Sequence, residues 1–287
     1  MFNKIFTKGW NVAYKNKKDE KFIVIKNNIG SWVADPFLVE LNSDVYIFGE
    51  MYTYDRYKGT IAYAKLVNGK FTKWKKVIIE DYHLSFPNIY IENNQIYMYA
   101  EANVSNEFYR YKAVNFPDRW IKERVYLKDV QFVDTVLFDY NYKKYGFTYD
   151  IAIDPKQLKL FELKEGKIKF LDCNPLSTDD KIARPAGKVL YKNNQNIRVS
   201  QNCVGEYGKN LVFSSFTIKN GHYEEKVIKT VTVDDIKYNK GKWIGVHTYN
   251  ESENFQVIDL KFKKIIFSSI LIRLKNKLIK KALRQSQ

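Results

Sequence analysis

Short apolar runs broken by polar turns fill the chain as far as about residue 260, and their spacing is that of strands rather than helices. One pattern returns along the chain: "ADPFLVE" from residue 34, "SFPNIYIE" from 85, "FVDTVLFD" from 132, "ARPAGKVLY" from 183 and, more loosely, "GVHTYNESENFQVID" from 245. The starts are 51, 47, 51 and about 62 residues apart, and a period near 50 signals a propeller. Each unit also repeats internally. A first strand leads through a polar turn ("LNSD", "ENNQ", "YNYKK", "KNNQN") to a second ("VYIFGE", "IYMYAE", "YGFTYD", "IRVSQN"). A third and a fourth strand follow, the fourth around "WKKVII", "IKERVYL" or "EEKVIKTV". Four antiparallel strands make one blade. The spacing therefore predicts an all-β, five-bladed β-propeller over residues 1–260, with Lys21–Ile25 completing the last blade and closing the ring.

In a propeller the first strand of every blade lines the central channel. Its opening residue and the residue ending the next strand then converge from all blades on one funnel. Those positions are Asp35 with Glu50, Pro87 with Glu101, Asp134 with Asp150, Arg184 with Gln201, and His247 in the last blade. Asp35 precedes Pro36, which disfavours a helix and suits an acid capping a buried strand. Three carboxylates, Asp35, Glu101 and Asp134, sharing a small space with Arg184 would have their pKa values driven apart. A protonated acid beside an ionised one is the arrangement of glycosyl chemistry, with acids that merely solvate a polar channel as the alternative. His83 is placed to donate to a sugar hydroxyl or a phosphate, or to bond a turn. Arg184 and Arg198 are candidates for a diphosphate, which guanidinium binds through paired hydrogen bonds, although Arg198 could equally pair with a core acid. Gln201, Asn202 and Tyr207 are candidate contacts for sugar hydroxyls or parts of a turn, and Trp32 is a stacking platform or a filler between blades.

Composition and charge narrow the partners. Of 287 residues, 45% are hydrophobic, with 22 Tyr and 19 Phe against 13 Gly and 6 Pro, which excludes a disordered chain. The net charge of +16 is uneven: nine basic residues and no acid occupy Lys261–Gln287, leaving +7 for the first 260 positions. Within that tail Phe267, Ile270, Leu271, Leu274, Leu278 and Ala282 recur at helical spacing. Residues 261–287 are thus expected to form a basic amphipathic helix that lies on an anionic membrane surface, or packs on a protein surface instead. No zinc-finger, helix-turn-helix or RNP pattern accompanies the charge, so nucleic acid is not an expected partner. The N-terminus has no signal-peptide core, no run is long enough to span a bilayer, and the expected location is cytoplasmic, peripheral on the inner face of the membrane. Cys173 and Cys203 lack metal-ligand spacing and read as small core residues. No paired-acid metal motif, P-loop or dinucleotide fingerprint is present in a suitable context, so no metal or other cofactor is expected.

The succession "ADPFLVE", "HLSFPNIY", "IYMYAEA", "NFPDRW", "FVDTVLF", "ARPAG", "IRVSQNC" and "EYGKNL" resembles the five-bladed propeller at the N-terminus of plant glucosamine inositolphosphorylceramide transferases, found also in bacterial cell-surface polysaccharide clusters. It covers roughly Trp32 to Lys226. More distantly the chain is similar to five-bladed furanosidases and fructosidases, whose first blade carries a catalytic aspartate before a Pro or a similar turn residue. Asp35 matches that position and Asp134 a further channel aspartate, while Glu101 stands in a different blade from the hydrolases' usual acid. The resemblance implies a glycosyltransferase of bacterial cell-surface polysaccharide assembly that takes an activated sugar donor and a glycan or lipid-linked acceptor. Asp35 would be nucleophile or base, Glu101 the acid/base partner and Asp134 the tuning charge, with Arg184 and His83 holding the donor phosphate or the acceptor. A furanosidase-like hydrolase and a non-catalytic glycan-binding propeller are the rival expectations.

Overall fold

The computed structural model describes residues 7–264, and these form five four-stranded antiparallel blades around a channel. Blade 1 comprises Ser31–Leu41, Asp44–Thr53 and Lys58–Val67, edged by Lys70–Phe71 and Lys75–Ile78. Blade 2 is Ser85–Glu92, Gln95–Glu101, Glu107–Asn115 and Arg119–Lys128, and blade 3 is Phe132–Tyr140, Lys143–Asp150, Gln157–Lys164 and Lys167–Phe170. The inner strand of blade 4 is split into Arg184–Pro185 and Leu190–Lys192, followed by Gln195–Asn202, Asn210–Lys219 and His222–Val231. Among the described residues there is no α-helix, and no helix long and apolar enough to cross a membrane.

Blade 5 joins both ends of the chain. Tyr249–Glu251 is its inner strand and Phe255–Lys264 its second, against which Thr7–Asn16 pairs over ten residues. The expected closing segment is present only as Ile23–Val24, the outermost strand. The seal is therefore an N-terminal strand that the repeat pattern does not reveal. The last strand also runs past residue 260: Lys261 is buried, with Nζ 2.9 Å from Glu206 Oε1 and 5.6 Å from the centre of the Trp10 ring. Lys261 through Lys264 thus belong to the propeller, and the rest of the expected helix, residues 265–287, lies outside the described residues.

Two local devices recur, one in blades 1–4 and the other in blades 1–3. At the end away from the acids, Asn42-Ser43, Asn93-Asn94, Asn141-Tyr142 and Asn193-Asn194 all have positive φ. These are the tight turns in which both central residues are left-handed, a conformation Asn tolerates well, and they match the strand twist. At the other end the inner strands of blades 1–3 each carry a bulge, with register shifts at Ala34/Phe37, Ser85/Asn88 and Val133/Val136. The bulged residues are Asp35, Phe86 and Asp134, with φ of 50°, 44° and 50°. The blade 2 counterpart of Asp35 is therefore Phe86 and not Pro87.

Apolar residues fill the wedges between blades. Phe37, Phe48, Phe86, Met98 and Tyr109 are part of a buried cluster joining blades 1 and 2, with Phe37 and Phe86 edge to face at 4.9 Å. Each such side chain contributes about 2–3 kcal/mol by leaving water. Trp32 stacks flat on Tyr52 at 4.7 Å and packs against the core beside blade 5, so it fills an interface. Cys173 and Cys203 are free thiols and only partly buried, which corrects their reading as core residues.

Arg198 is also corrected. It is 1% exposed and makes paired bonds to Glu225, with Nη1 donating to the Ile182 carbonyl at 2.8 Å and Nε facing Tyr223 Oη. Its donors are spent on blade 4, which leaves none for a diphosphate. Arg198→Ala strands the Glu225 carboxylate in a nearly closed site and is expected to cost about 3–5 kcal/mol, read as a lowered urea midpoint.

Candidate active site

A bulge turns one backbone N–H out of its ladder, and a buried N–H without an acceptor is costly. In this ring the acceptor comes from the preceding blade. Asp259 Oδ2 in blade 5 accepts the N–H of Asp35 at 3.0 Å, Asp35 Oδ2 in blade 1 accepts that of Phe86 at 3.2 Å, and Glu101 Oε2 in blade 2 accepts that of Asp134 at 3.3 Å. Acids distant along the chain are thereby gathered at the channel end where the second strands finish. Asp134 continues the series into blade 4, accepting from Arg184 Nε and from Gln201 Nε2, the latter at 3.0 Å. Arg184 Nη2 lies 3.9 Å from Glu101, and its guanidinium stands over the Tyr207 ring at 5.1 Å.

His247 closes the circle between blades 5 and 1. Its Nδ1 is 2.7 Å from Asp259 Oδ2 and its Nε2 3.3 Å from Asp35 Oδ1, while Trp10 stacks on the ring at 3.9 Å. Burial works against a charged imidazole here, but Asp259, with Asp35 and Asp134 behind it, prevails and raises its pKa. His247 thus lies enclosed beneath Trp10 and Tyr207, 2% exposed, between Asp259 and Asp35 and not open to the funnel.

Burial pushes the Asp35 carboxyl up to about 6; His247 and the Thr248 hydroxyl oppose the rise, and Asp134 and Asp259 add to it. Glu101 is raised well above the ordinary range by burial and by Asp134, with Arg184 pulling the other way. Glu50 is raised likewise, by burial first and then by Asp35, Glu101, Asp259 and Asp134. The site thus sets two glutamates with raised pKa values, Glu50 and Glu101, beside Asp35 at about 6 and the partly exposed Arg184. That combination can protonate a leaving oxygen and accept a proton or form a bond on the other side.

The structure brings Asp35, Glu50, Glu101, Asp134, Arg184, Gln201, Tyr207 and His247 together at this end, with His83 at its margin 3.3 Å from Glu50. It does not bring in Asp150. The residue paired across from Val133 is Tyr149, so Asp150 falls one position late and turns away, bonding Lys159 at 2.8 Å and the Ala152 N–H at 3.0 Å. Arg198 stays in its blade.

Asp259 was missed, although it occurs in the fifth repeat as the last residue of "GVHTYNESENFQVID". It sits in the middle of Phe255–Lys264, not at a strand end, so the strand-end positions did not include it. Asp35, His247 and Asp259 are also the trio, among the described residues, whose ligating atoms lie within 4.8 Å of one another. All four carboxylate oxygens of the trio already accept protein donors: Asp35 takes the Thr248 hydroxyl and the Phe86 N–H, and Asp259 takes the N–H groups of His247, Thr248 and Asp35. These bonds tie the trio to the backbone of blades 1, 2 and 5.

Residues 22–266 match the family described as glucosamine inositolphosphorylceramide transferase 1, N-terminal. The chain is 28% identical over 235 residues to glucosamine inositolphosphorylceramide transferase 1 of Arabidopsis thaliana, covering 77% of this chain and 30% of that protein. It is 26% identical over 236 residues to the Oryza sativa subsp. indica protein of the same name, covering 77% and 31%. The chain thus spans about a third of the length of these curated relatives. Among solved structures it is similar to the endo-arabinanase of Bacillus licheniformis, with a TM-score of 0.54 at 12% identity, covering 83% of this chain and 95% of that one. It is also similar to a family 117 glycoside hydrolase of Zobellia galactanivorans, with a TM-score of 0.55 at 13% identity, covering 87% and 90%. At that identity the likeness is one of fold.

Asp259→Ala removes the acceptor of three backbone N–H groups and the partner of His247 at once. It is expected to cost about 3–5 kcal/mol, whereas Asp19→Ala at an exposed position stays within about 0.5 kcal/mol. Thermal or urea unfolding of the two variants checks the contrast.

Proposed function

The chain belongs to the family of glucosamine inositolphosphorylceramide transferase 1 N-terminal domains, and from that premise we propose that its channel site transfers a glycosyl group in the assembly of a bacterial cell-surface glycan. The observation that carries the reading is the ring of buried acids with separated proton affinities beside Arg184. Asp35 acts as nucleophile or base, one of the two glutamates with raised pKa, Glu101 or Glu50, assists the leaving oxygen, and Asp134 with Arg184 sets the local charge. Arg184 is 23% exposed, and Asp134 occupies only part of its fork, so donors remain for a phosphate on the sugar donor. Residues 265–287, with the preceding lysines, hold the protein against an anionic membrane on the cytoplasmic side, beside a lipid-linked acceptor. Phe255–Lys264 ends at the same end of the ring as the acids, so the basic segment departs from the side on which that acceptor would approach.

The similarity to an endo-arabinanase favours a second reading, hydrolysis of furanosides with water as the acceptor. Activated sugars and furanosides, offered separately to the protein with product analysis, distinguish the two. Saturable sugar binding without product would mark a non-catalytic propeller.

Asp35→Asn keeps an oxygen to accept the Phe86 N–H but removes the basic carboxylate. It should leave the fold intact and cut turnover about 100-fold or more; normal turnover in a folded variant rules out the role. Asp35 must be ionised to serve as nucleophile or base, so kcat/KM of the unmodified protein should fall as pH drops through about 6. Removing residues 265–287 should abolish co-sedimentation with vesicles rich in anionic lipid, and undiminished binding would defeat the membrane assignment.

A further inference from the structure

The ring-closing bonds divide the channel acids into two groups. Asp259, Asp35 and Glu101 each accept an N–H from the next blade, and Asp134 takes Arg184 and Gln201. Glu50 is different. It stands across from Ala34 on the second strand of blade 1, its side chain is 7% exposed, and its Oε1 is a buried oxygen without a hydrogen bond of normal geometry.

What Oε1 does face is His83 Nε2, at 3.3 Å. The other ring nitrogen settles which tautomer is present, because His83 Nδ1 accepts the Gly59 N–H at 3.0 Å. In the neutral ring the hydrogen must then be on Nε2, the nitrogen nearest Glu50 Oε1, where a small rotation would complete the bond. Burial disfavours the charged imidazole and so reinforces the neutral form. Gly59 is required for this approach. A Cβ there would lie 2.4 Å from the Leu84 carbonyl oxygen and 2.7 Å from Glu50 Oε1, and the Gly59 carbonyl in turn accepts the Leu84 N–H at 3.2 Å. Glycine thus lets the segment carrying His83 close onto the acid.

Resting on the sugar-transfer reading above, we propose that Glu50 is the proton donor of the site, delivering from Oε2, and that His83 is the positioning residue that occupies Oε1. If Oε1 receives the imidazole N–H, the carboxyl proton has only Oε2 to sit on. Asp35, Glu101, Asp134 and Asp259 face Glu50 from the other strands of the ring, with Arg184 and His247 as the cations among them. On the His83 side stand Lys58, bonded to the Glu80 carbonyl, and the exposed Asp81. Asp35 bonds to the anomeric carbon as the bond to the leaving oxygen breaks, that oxygen keeping the electron pair and taking the Oε2 proton, and the acceptor oxygen then displaces Asp35 as a carboxylate. The resulting Glu50 carboxylate is stabilised by the His83 N–H. It regains a proton when the acceptor hydroxyl, having attacked, releases its own.

Two measurements test this. The first needs no substrate. In uniformly labelled protein, the Glu50 carboxyl, assigned by its loss in Glu50→Gln, should be protonated at pH 7, and the His83 ring should show the Nε2–H tautomer by nitrogen NMR. An ionised Glu50 or an Nδ1–H tautomer overturns the proposal whatever the activity. The second is kinetic. Glu50→Gln should lose about 100-fold or more on a sugar donor with an alkyl leaving oxygen, and only a few-fold on one with a nitrophenolate, which departs without a proton. His83→Ala should narrow the gap between the two donors, and His83→Gln, which restores an N–H near the Nε2 position, should recover it. Equal losses on both donors overturn the proton-donor role. Absence of turnover by the unmodified protein on every donor would instead overturn the sugar-transfer reading, and the donor role with it, even where the NMR result stands.

Discussion

A carboxylate from one blade accepting the orphan N–H of the next blade's bulge is the bond on which this molecule depends. It solves two problems together. The bulge turns the inner strand at the mouth of the channel and leaves a donor facing a space too narrow to hydrate it freely. The acid that answers it ties adjacent blades at their innermost point, where apolar side chains have no room. Asp259 to Asp35, Asp35 to Phe86 and Glu101 to Asp134 are three successive uses of the same solution, and Arg184 with Gln201 replaces it where the inner strand of blade 4 is split.

The same bonds set the charge balance at the channel end. Carboxylates crowded at one end of a closed ring repel one another, and some hold their protons as a result. Asp35 shows both sides of the compromise: it takes the Phe86 N–H and the Thr248 hydroxyl and faces His247, while its neighbours and its burial hold its carboxyl near 6. The arrangement is stiff, because moving Asp259, Asp35 or Glu101 unsatisfies a backbone N–H in another blade. Stiffness is what a reactive constellation needs, since geometry fixed before the reaction costs nothing during it.

Much of this was readable from the chain because the inner-strand motif recurs with the bulge embedded in it, so the five blades and the convergence of Asp35, Glu101, Asp134 and Arg184 follow from counting. What was not readable depends on backbone conformation and distant pairing. A phenylalanine at φ 44° is nothing that residue preferences foretell, so Pro87 attracted the alignment that belongs to Phe86. Asp150 fell to an error of one position in a strand, which reverses the face a side chain takes. Arg198 finds Glu225 two strands over in its own blade, and Thr7–Asn16 finds residues 255–264 at the far end of the chain. Neither distance leaves a mark on local periodicity. Asp259 lay in the loosest repeat, where the spacing had drifted.

The blade shared by the two ends of the chain has a consequence for assembly. Asp35 is synthesised early, yet the acid that caps its N–H and the histidine that faces its carboxylate come some two hundred residues later. Until the final strand docks on the first, the early blades carry buried acids without their counter-charge and an open sheet edge. The ring thus has high contact order, and its reactive centre is among the last parts to form. A chain interrupted before His247 would therefore hold Asp35 without either partner.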